Sequence, residues 1–233
     1  MSGIETLPDP QALARRVADW LFDLARAKQG AFTLCLSGGS TPRLLYEVLG
    51  AEPFHDSFPW ARTHLFWGDE RFVAPGDPDS NYGMVRDSLL SHIYIPTSNV
   101  HPIPTEGMSA EDAAQRYEYV LRGFHRPDPE APLFDAVLLG LGDDGHTASL
   151  FPGTPALDER QRWVLPVEGA KPETRITLTY PALENSRQIA FLVAGAAKRD
   201  ILARVLGGDT TLPAARLKAR GDLHWFTDRA AHP

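Results

Sequence analysis

The stretch Phe134-Asp135-Ala136-Val137-Leu138-Leu139-Gly140-Leu141-Gly142-Asp143-Asp144-Gly145-His146-Thr147 decides how this chain is read. The run from Phe134 to Leu139 reads as a strand buried on both faces. A parallel strand covered by helices shows continuous rather than alternating hydrophobicity. It ends in a glycine-rich turn that carries two carboxylates and an imidazole. In open α/β sheets, ligands bind just beyond the carboxyl ends of the strands. Reactive side chains at that position therefore make a candidate site.

Other segments extend the same pattern in both directions. Residues 10–28 have helical spacing, with Leu13, Val17, Leu21 and Leu24 on one face and Asp9-Pro10 as the start signal. Strands are predicted over 31–36, Thr63 to Trp67, Arg175 to Thr179, Ile189 to Val193 and Leu223 to Phe226. Helices are predicted from Thr41-Pro42 to Leu49, from Asn81 to about Leu90, over 109–123 and from Ala196 to Leu206. Phe72 to Tyr82 is rich in Pro, Gly and Asp and reads as an ordered surface loop. Pro127-Asp128-Pro129-Glu130 reads as a surface connection. Strands alternating with helices predict an α/β fold, a mostly parallel, Rossmann-like open sheet with helices on both faces. At 233 residues, one domain over 1–233 is the simplest count.

Composition narrows the partners. The net charge of −7 argues against nucleic acid and acidic membranes, which need a basic face. A few local cations and backbone N–H groups can still build an anion pocket. Cys35 is the only cysteine, so no intrachain disulfide forms, and its apolar neighbours predict a buried thiol. No apolar run reaches membrane-spanning length. A soluble cytoplasmic protein is expected, as a monomer or small homo-oligomer.

Three loops carry candidate chemistry. In Ser37-Gly38-Gly39-Ser40-Thr41-Pro42, two glycines after a strand let backbone N–H groups approach a ligand, and the following helix offers unpaired N–H groups and a positive dipole end. Gly38, Gly39, Ser40 and Thr41 thus form a phosphate cradle by physical logic, although a Ser/Thr-capped turn uses the same residues. It is not a Walker loop, since no Gly-Lys-Ser/Thr follows. In Gly68-Asp69-Glu70-Arg71, Asp69 can orient a hydroxyl and Arg71 can contact phosphate or carboxylate, while a solvated salt-bridge cluster is the commoner fate of such a run.

The third loop contains Gly140, Gly142 and Gly145 in G-x-G-x-x-G spacing. Asp143 and Asp144 would repel a pyrophosphate there, and the position in the chain is wrong for a dinucleotide fingerprint. Acid–base chemistry suits it better, with His146 as general base near neutral pH. A helical turn starting at Thr147 would favour neutral imidazole, whereas Asp143 and Asp144 would favour imidazolium. Arg175 at a strand start is a further cation. Lys198 in a first helical turn opposes the dipole, a small cost that hints at an anion. His146, Asp144 and Asp69 lack the spacing of a zinc motif, and no G-x-S-x-G elbow is present.

Taken together, these segments resemble the 6-phosphogluconolactonase family within the glucosamine-6-phosphate isomerase/deaminase group. The matching pieces are Leu36-Ser37-Gly38-Gly39-Ser40-Thr41-Pro42, Trp67-Gly68-Asp69-Glu70-Arg71, Asp79-Ser80-Asn81-Tyr82, Gly140 to Gly153, Arg175-Ile176-Thr177-Leu178 and Gly195-Ala196-Ala197-Lys198. The resemblance implies hydrolysis of 6-phospho-D-glucono-1,5-lactone, with no metal and no nucleotide cofactor. For that reaction His146 is expected as the general base, with Asp144 and Asp69 orienting the base or the sugar hydroxyls. The phosphate would be held by Gly38, Gly39, Ser40, Thr41, Arg71, Arg175 and Lys198. The related deaminases usually follow the Asp-Gly-His core with an Ala-Phe-Asn-Glu-Pro type segment. Here Ala148 is followed by Ser149-Leu150-Phe151-Pro152-Gly153, which favours the lactonase over an isomerase or deaminase. A non-catalytic sugar-phosphate sensor would have no need of Asp144 and His146.

Overall fold

In the computed structural model, which describes residues 3–125 and 130–233, seven strands form one sheet in the order β1-β10-β9-β6-β2-β3-β5. They are β1 (Gly3–Leu7), β2 (Phe32–Leu36), β3 (Thr63–Trp67), β5 (Val100–His101), β6 (Phe134–Leu139), β9 (Ser186–Val193) and β10 (Asp222–Asp228). Every pairing within it is parallel. All residues of β2 and β6 are buried, so both faces are covered, as their unbroken apolar runs require. The helices are α1 (Pro10–Ala27), α2 (Ser40–Leu49), α3 (Phe54–Ser57), α4 (Asn81–Val85), α5 (Ala110–His125), α6 (Tyr180–Glu184), α7 (Arg199–Leu206) and α8 (Pro213–Arg216).

Local signals explain the best-predicted helix. The Asp9 carboxylate accepts the Ala12 N–H at 2.8 Å, and Pro10 begins α1. Leu13, Val17 and Leu21 are buried as expected, while Leu24 is half-buried and Ala25 completes the inner face.

The chain order gives the sheet a topological switch. From β2 the chain proceeds outward through β3 to β5, then returns to the other side of β2 as β6 and continues to β9 and β10. Neighbouring parallel strands β2 and β6, in register at Leu34–Ala136 and Cys35–Val137, therefore send their following loops away in opposite directions. A crevice opens between those loops, the preferred ligand position of doubly wound sheets.

The structure departs from the sequence reading in several places. Asp69–Arg71 was expected as a loop at a strand end and is instead a strand, β4. It pairs antiparallel with β8 (Arg175–Leu178), which pairs antiparallel with β7 (Val164–Val167) in a second, three-stranded sheet. Gly68 joins the two sheets: its N–H donates to the Leu36 carbonyl at 2.9 Å, and its carbonyl accepts the Leu178 N–H at 2.8 Å. The helix expected over Asn81 to Leu90 is α-helical only to Val85 and continues as a π turn over Arg86–Leu90. The segment from Ala196 is a 3-10 turn to Lys198 before α7 begins. Pro127 to Pro129 of the expected surface connection lie outside the described residues. Among the described residues, no helix is long and apolar enough to cross a membrane.

Candidate active site

The crevice at the switch point is a cleft of about 390 Å³, within the usual range of small-molecule sites, roughly 300–1,000 Å³. Gly38, Gly39, Ser40 and Thr41 line it, together with Asp69, Arg71, His146, Arg175 and Lys198. The three loops read separately from the sequence thus meet in one cavity. Asp144 is the exception among the expected site residues. It stands behind His146 rather than on the cleft wall.

One wall is the turn after β2. Gly39, at φ +105°, occupies the N-cap of α2, and no side chain caps that helix. Its first-turn N–H groups are left for a ligand or water. Gly38 has no room for a side chain, because a Cβ would lie 2.0 Å from Asn81 Oδ1. Asn81 Nδ2 donates to the Asp69 carbonyl at 2.9 Å, so the start of α4 is drawn against the cradle.

The opposite wall is the turn after β6. His146 Nδ1 and an Asp144 carboxylate oxygen form a hydrogen bond, and the same oxygen accepts the His146 backbone N–H at 3.1 Å. Gly142 donates its N–H to the His146 carbonyl at 2.9 Å. A Cβ on Gly142 would stand 2.0 Å from His146 Nδ1, so this position admits only glycine beside the ring. The imidazole also packs on Phe151, with ring centroids 4.6 Å apart.

No helix begins at Thr147, so the condition under which a helix end would act on His146 is not met. Thr147 bridges Leu150, and its hydroxyl donates to the Gly140 carbonyl at 3.0 Å. The helix-dipole contribution at His146 therefore drops out, and the neighbouring charges set its surroundings. Burial pushes the Asp144 carboxyl up. The His146 ring and backbone hydrogen bonds, with the charges of His146 and Lys171, outweigh this and hold it below its ordinary value.

The floor comes from β4 and β8. Asp69 is 8% exposed and accepts the Ser149 hydroxyl at 2.6 Å. Ala148, at φ +48°, adopts the left-handed backbone that favours glycine and turns Ser149 toward it. Arg71 and Arg175 are cross-strand partners, both on the cleft. Burial and the nearby Arg71 charge pull the Arg175 guanidinium below its ordinary value. Its Nε is buried without a hydrogen-bond partner, and Glu173 takes Nη2 at 3.2 Å. Lys198, expected to stand ready for an anion, is hydrogen-bonded to Asp143, whose carboxyl is held low by that bond.

The sequence reading missed several residues. Lys171 and Asn81 line the cleft, and Phe151 supports the histidine. Asn81 had been noticed only as part of a family-like segment. Glu70, read as part of a surface turn, is 1% exposed. Its carboxylate accepts N–H groups from Arg71, Asn81 and Tyr82, each at 2.7 Å, and the Ser80 hydroxyl at 3.3 Å. It fastens the loop before α4 to β4. As for metals, His146, Asp144 and Asp69 do not converge their donor atoms. Among the described residues, only Glu52, His55 and Asp56, on and beside α3, bring three possible ligand atoms within 4.8 Å of one another.

A doubly wound sheet with this cleft at its switch point matches a defined class. The chain belongs to the glucosamine-6-phosphate isomerase/6-phosphogluconolactonase family, whose model matches residues 8–225. It is 43% identical over 235 residues to a 6-phosphogluconolactonase of the cyanobacterium Nostoc, covering 98% of this chain and 96% of the relative. It is 38% identical over 241 residues to the 6-phosphogluconolactonase of Mycobacterium tuberculosis, covering 99% and 97%. The crystal structure of 6-phosphogluconolactonase from Thermotoga maritima superposes with a TM-score of 0.85 at 30% identity, over 98% of this chain and all of that one.

Proposed function

We propose that this protein hydrolyses 6-phospho-D-glucono-1,5-lactone to 6-phosphogluconate, the lactone-opening step of the oxidative pentose phosphate pathway, within one α/β domain of a soluble cytoplasmic enzyme. The observation that carries the proposal is the pairing of an anion seat with a base in one cleft. Arg71 and Arg175 lie side by side next to an uncapped helix N-terminus, and His146, backed by Asp144, lines the same cavity. Two guanidiniums brought together, one of them with a buried Nε that has no hydrogen-bond partner, favour an anion such as a phosphate. The relatives that carry the lactonase name, at 38–43% identity over nearly their whole length, support the same substrate.

In the proposed mechanism, the phosphate rests on Gly38, Gly39, Ser40 and Thr41 and is held by Arg71 and Arg175. Lys198 exchanges Asp143 for it. Asp144 occupies Nδ1 of His146, so Nε2 is the nitrogen free to act. Neutral His146 takes a proton from water as the water oxygen bonds to C1. Collapse of the tetrahedral intermediate breaks the bond from C1 to the ring oxygen, and the imidazolium returns its proton to that oxygen. Asp69 fixes Ser149 and the sugar-facing floor. A lactone is an activated ester, so general-base catalysis of about 10²–10⁴-fold plus phosphate anchoring is a sufficient demand.

Proton release from freshly prepared lactone, corrected for spontaneous opening, tests the proposal. Wild type accelerates it, and His146→Ala lowers kcat by at least about 10²-fold while keeping the fold. Ammonia release from glucosamine 6-phosphate without lactone opening would assign the chain to the other branch of its family.

A further inference from the structure

We propose that Lys171 is a positioning residue of this site: its ammonium shares the Asp144 carboxylate with His146 and so offsets the negative charge that Asp144 places beside the imidazole. The reaction it serves is the one proposed above.

Lys171 lies in the loop between β7 and β8 and lines the cleft. Its Nζ is 3.7 Å from Asp144 Oδ2, while Oδ1 of the same carboxylate engages His146 Nδ1. The ammonium also sits 5.2 Å from the centre of the Phe151 ring, the ring on which His146 packs. Asp144 and Phe151 thus each touch both Lys171 and His146. Neither contact buries Lys171, whose side chain is 40% exposed.

A carboxylate alone beside an imidazole favours imidazolium, which cannot accept a proton. On its own loop His146 is flanked by Asp144 and Asp143, which are paired with Lys171 and Lys198 respectively, and Asp69, Arg71 and Arg175 line the same cleft. Removing Lys171 leaves the ring beside one uncompensated carboxylate. As an exposed ion pair, Lys171 contributes little to folding, so its loss is felt at the histidine rather than in the fold.

The test uses wild type, Lys171→Met and Lys171→Arg. The His146 ring is titrated by NMR in the ligand-free protein, and kcat/KM for the phosphorylated lactone is measured between pH 5.5 and about 8. A unit charge roughly 6 Å away in largely aqueous surroundings moves an imidazole midpoint by about half to one pH unit. Lys171→Met should raise the NMR midpoint and the acidic limb of kcat/KM by that amount, keep the upper plateau, and be restored by Lys171→Arg. A midpoint that stays at the wild-type value overturns the proposal. So does a kcat/KM lowered equally at every pH, which would make Lys171 a substrate contact. The NMR arm needs no turnover. Failure of the lactonase reading would show separately, as a wild type that does not accelerate lactone opening at any pH.

Discussion

Replacing Glu70 by glutamine should change how stability depends on pH, and the structure sets both sign and size. Burial pushes the Glu70 carboxyl from 4.5 up to about 7, against the pull of the N–H groups of Tyr82, Asn81 and Arg71; the Asp69 charge adds to the rise. Between those two pH values the folded protein holds a proton that the unfolded chain has released. Stability from this group is therefore full below pH 4.5 and is lost as pH rises through about 7, the reverse of an ordinary salt-bridged carboxylate. At ~1.4 kcal/mol per pH unit, the displacement corresponds to about 3 kcal/mol, of which about 2–3 falls between pH 5 and 8. Glutamine cannot titrate. Its amide also turns a donor toward the Tyr82 or Arg71 N–H, which costs about 1–3 kcal/mol at every pH.

Urea denaturation of both proteins from pH 5 to 8 measures this. The two effects separate cleanly, because the amide mismatch is a constant offset and the proton linkage is a slope. The stability advantage of wild type over Glu70→Gln should shrink by about 2–3 kcal/mol across the range. Parallel curves would refute the reasoning: the hydrogen bonds would then have offset the burial, leaving Glu70 ionised throughout. Because Glu70 fastens Asn81 and Arg71 beside the cleft, the variant should also raise KM for the phosphorylated lactone.

Other expectations follow from the cleft itself. Gly142→Ala forces the imidazole away from a Cβ 2.0 Å from Nδ1, so kcat should fall toward that of His146→Ala with little change in Tm; near-normal turnover would remove the steric constraint. Arg175→Ala and Lys198→Ala should weaken phosphate capture, raising KM about 10-fold or more while kcat changes less; equal use of the unphosphorylated lactone by wild type would count against the anion seat. Activity should survive a chelator, and a loss that added metal restores would point to a metal-dependent reaction instead.

What could be read from the sequence follows from what burial imprints on it. β2, β3 and β6 announced themselves because they are almost wholly buried and most of their residues are apolar. β1 is half-exposed at a sheet edge, β5 has two residues, and β7 carries Pro166, so none has a comparable signature. β4 is the instructive failure. Asp69-Glu70-Arg71 has no hydrophobic alternation, and it is a strand only because a segment about a hundred residues later pairs with it.

The same distinction runs through the site. His146 and the Gly38-Gly39 turn were legible because each follows a strand directly, and the sheet's topology brings strand ends together without further information. Adjacent strands β2 and β6 carry the cradle and the base, so their meeting is a consequence of strand order rather than of any motif. Lys171 and Glu70 have no such address. Lys171 reaches Asp144 from the β7–β8 loop, ahead of the strand that pairs with β4, and Glu70 is occupied with backbone N–H groups eleven and twelve residues further along. Residues placed by the parallel sheet can be predicted once its strands are recognised. Asp69, Arg71 and Arg175 of the small antiparallel sheet were recognisable by residue type, but their juxtaposition depends on a pairing that local sequence does not encode.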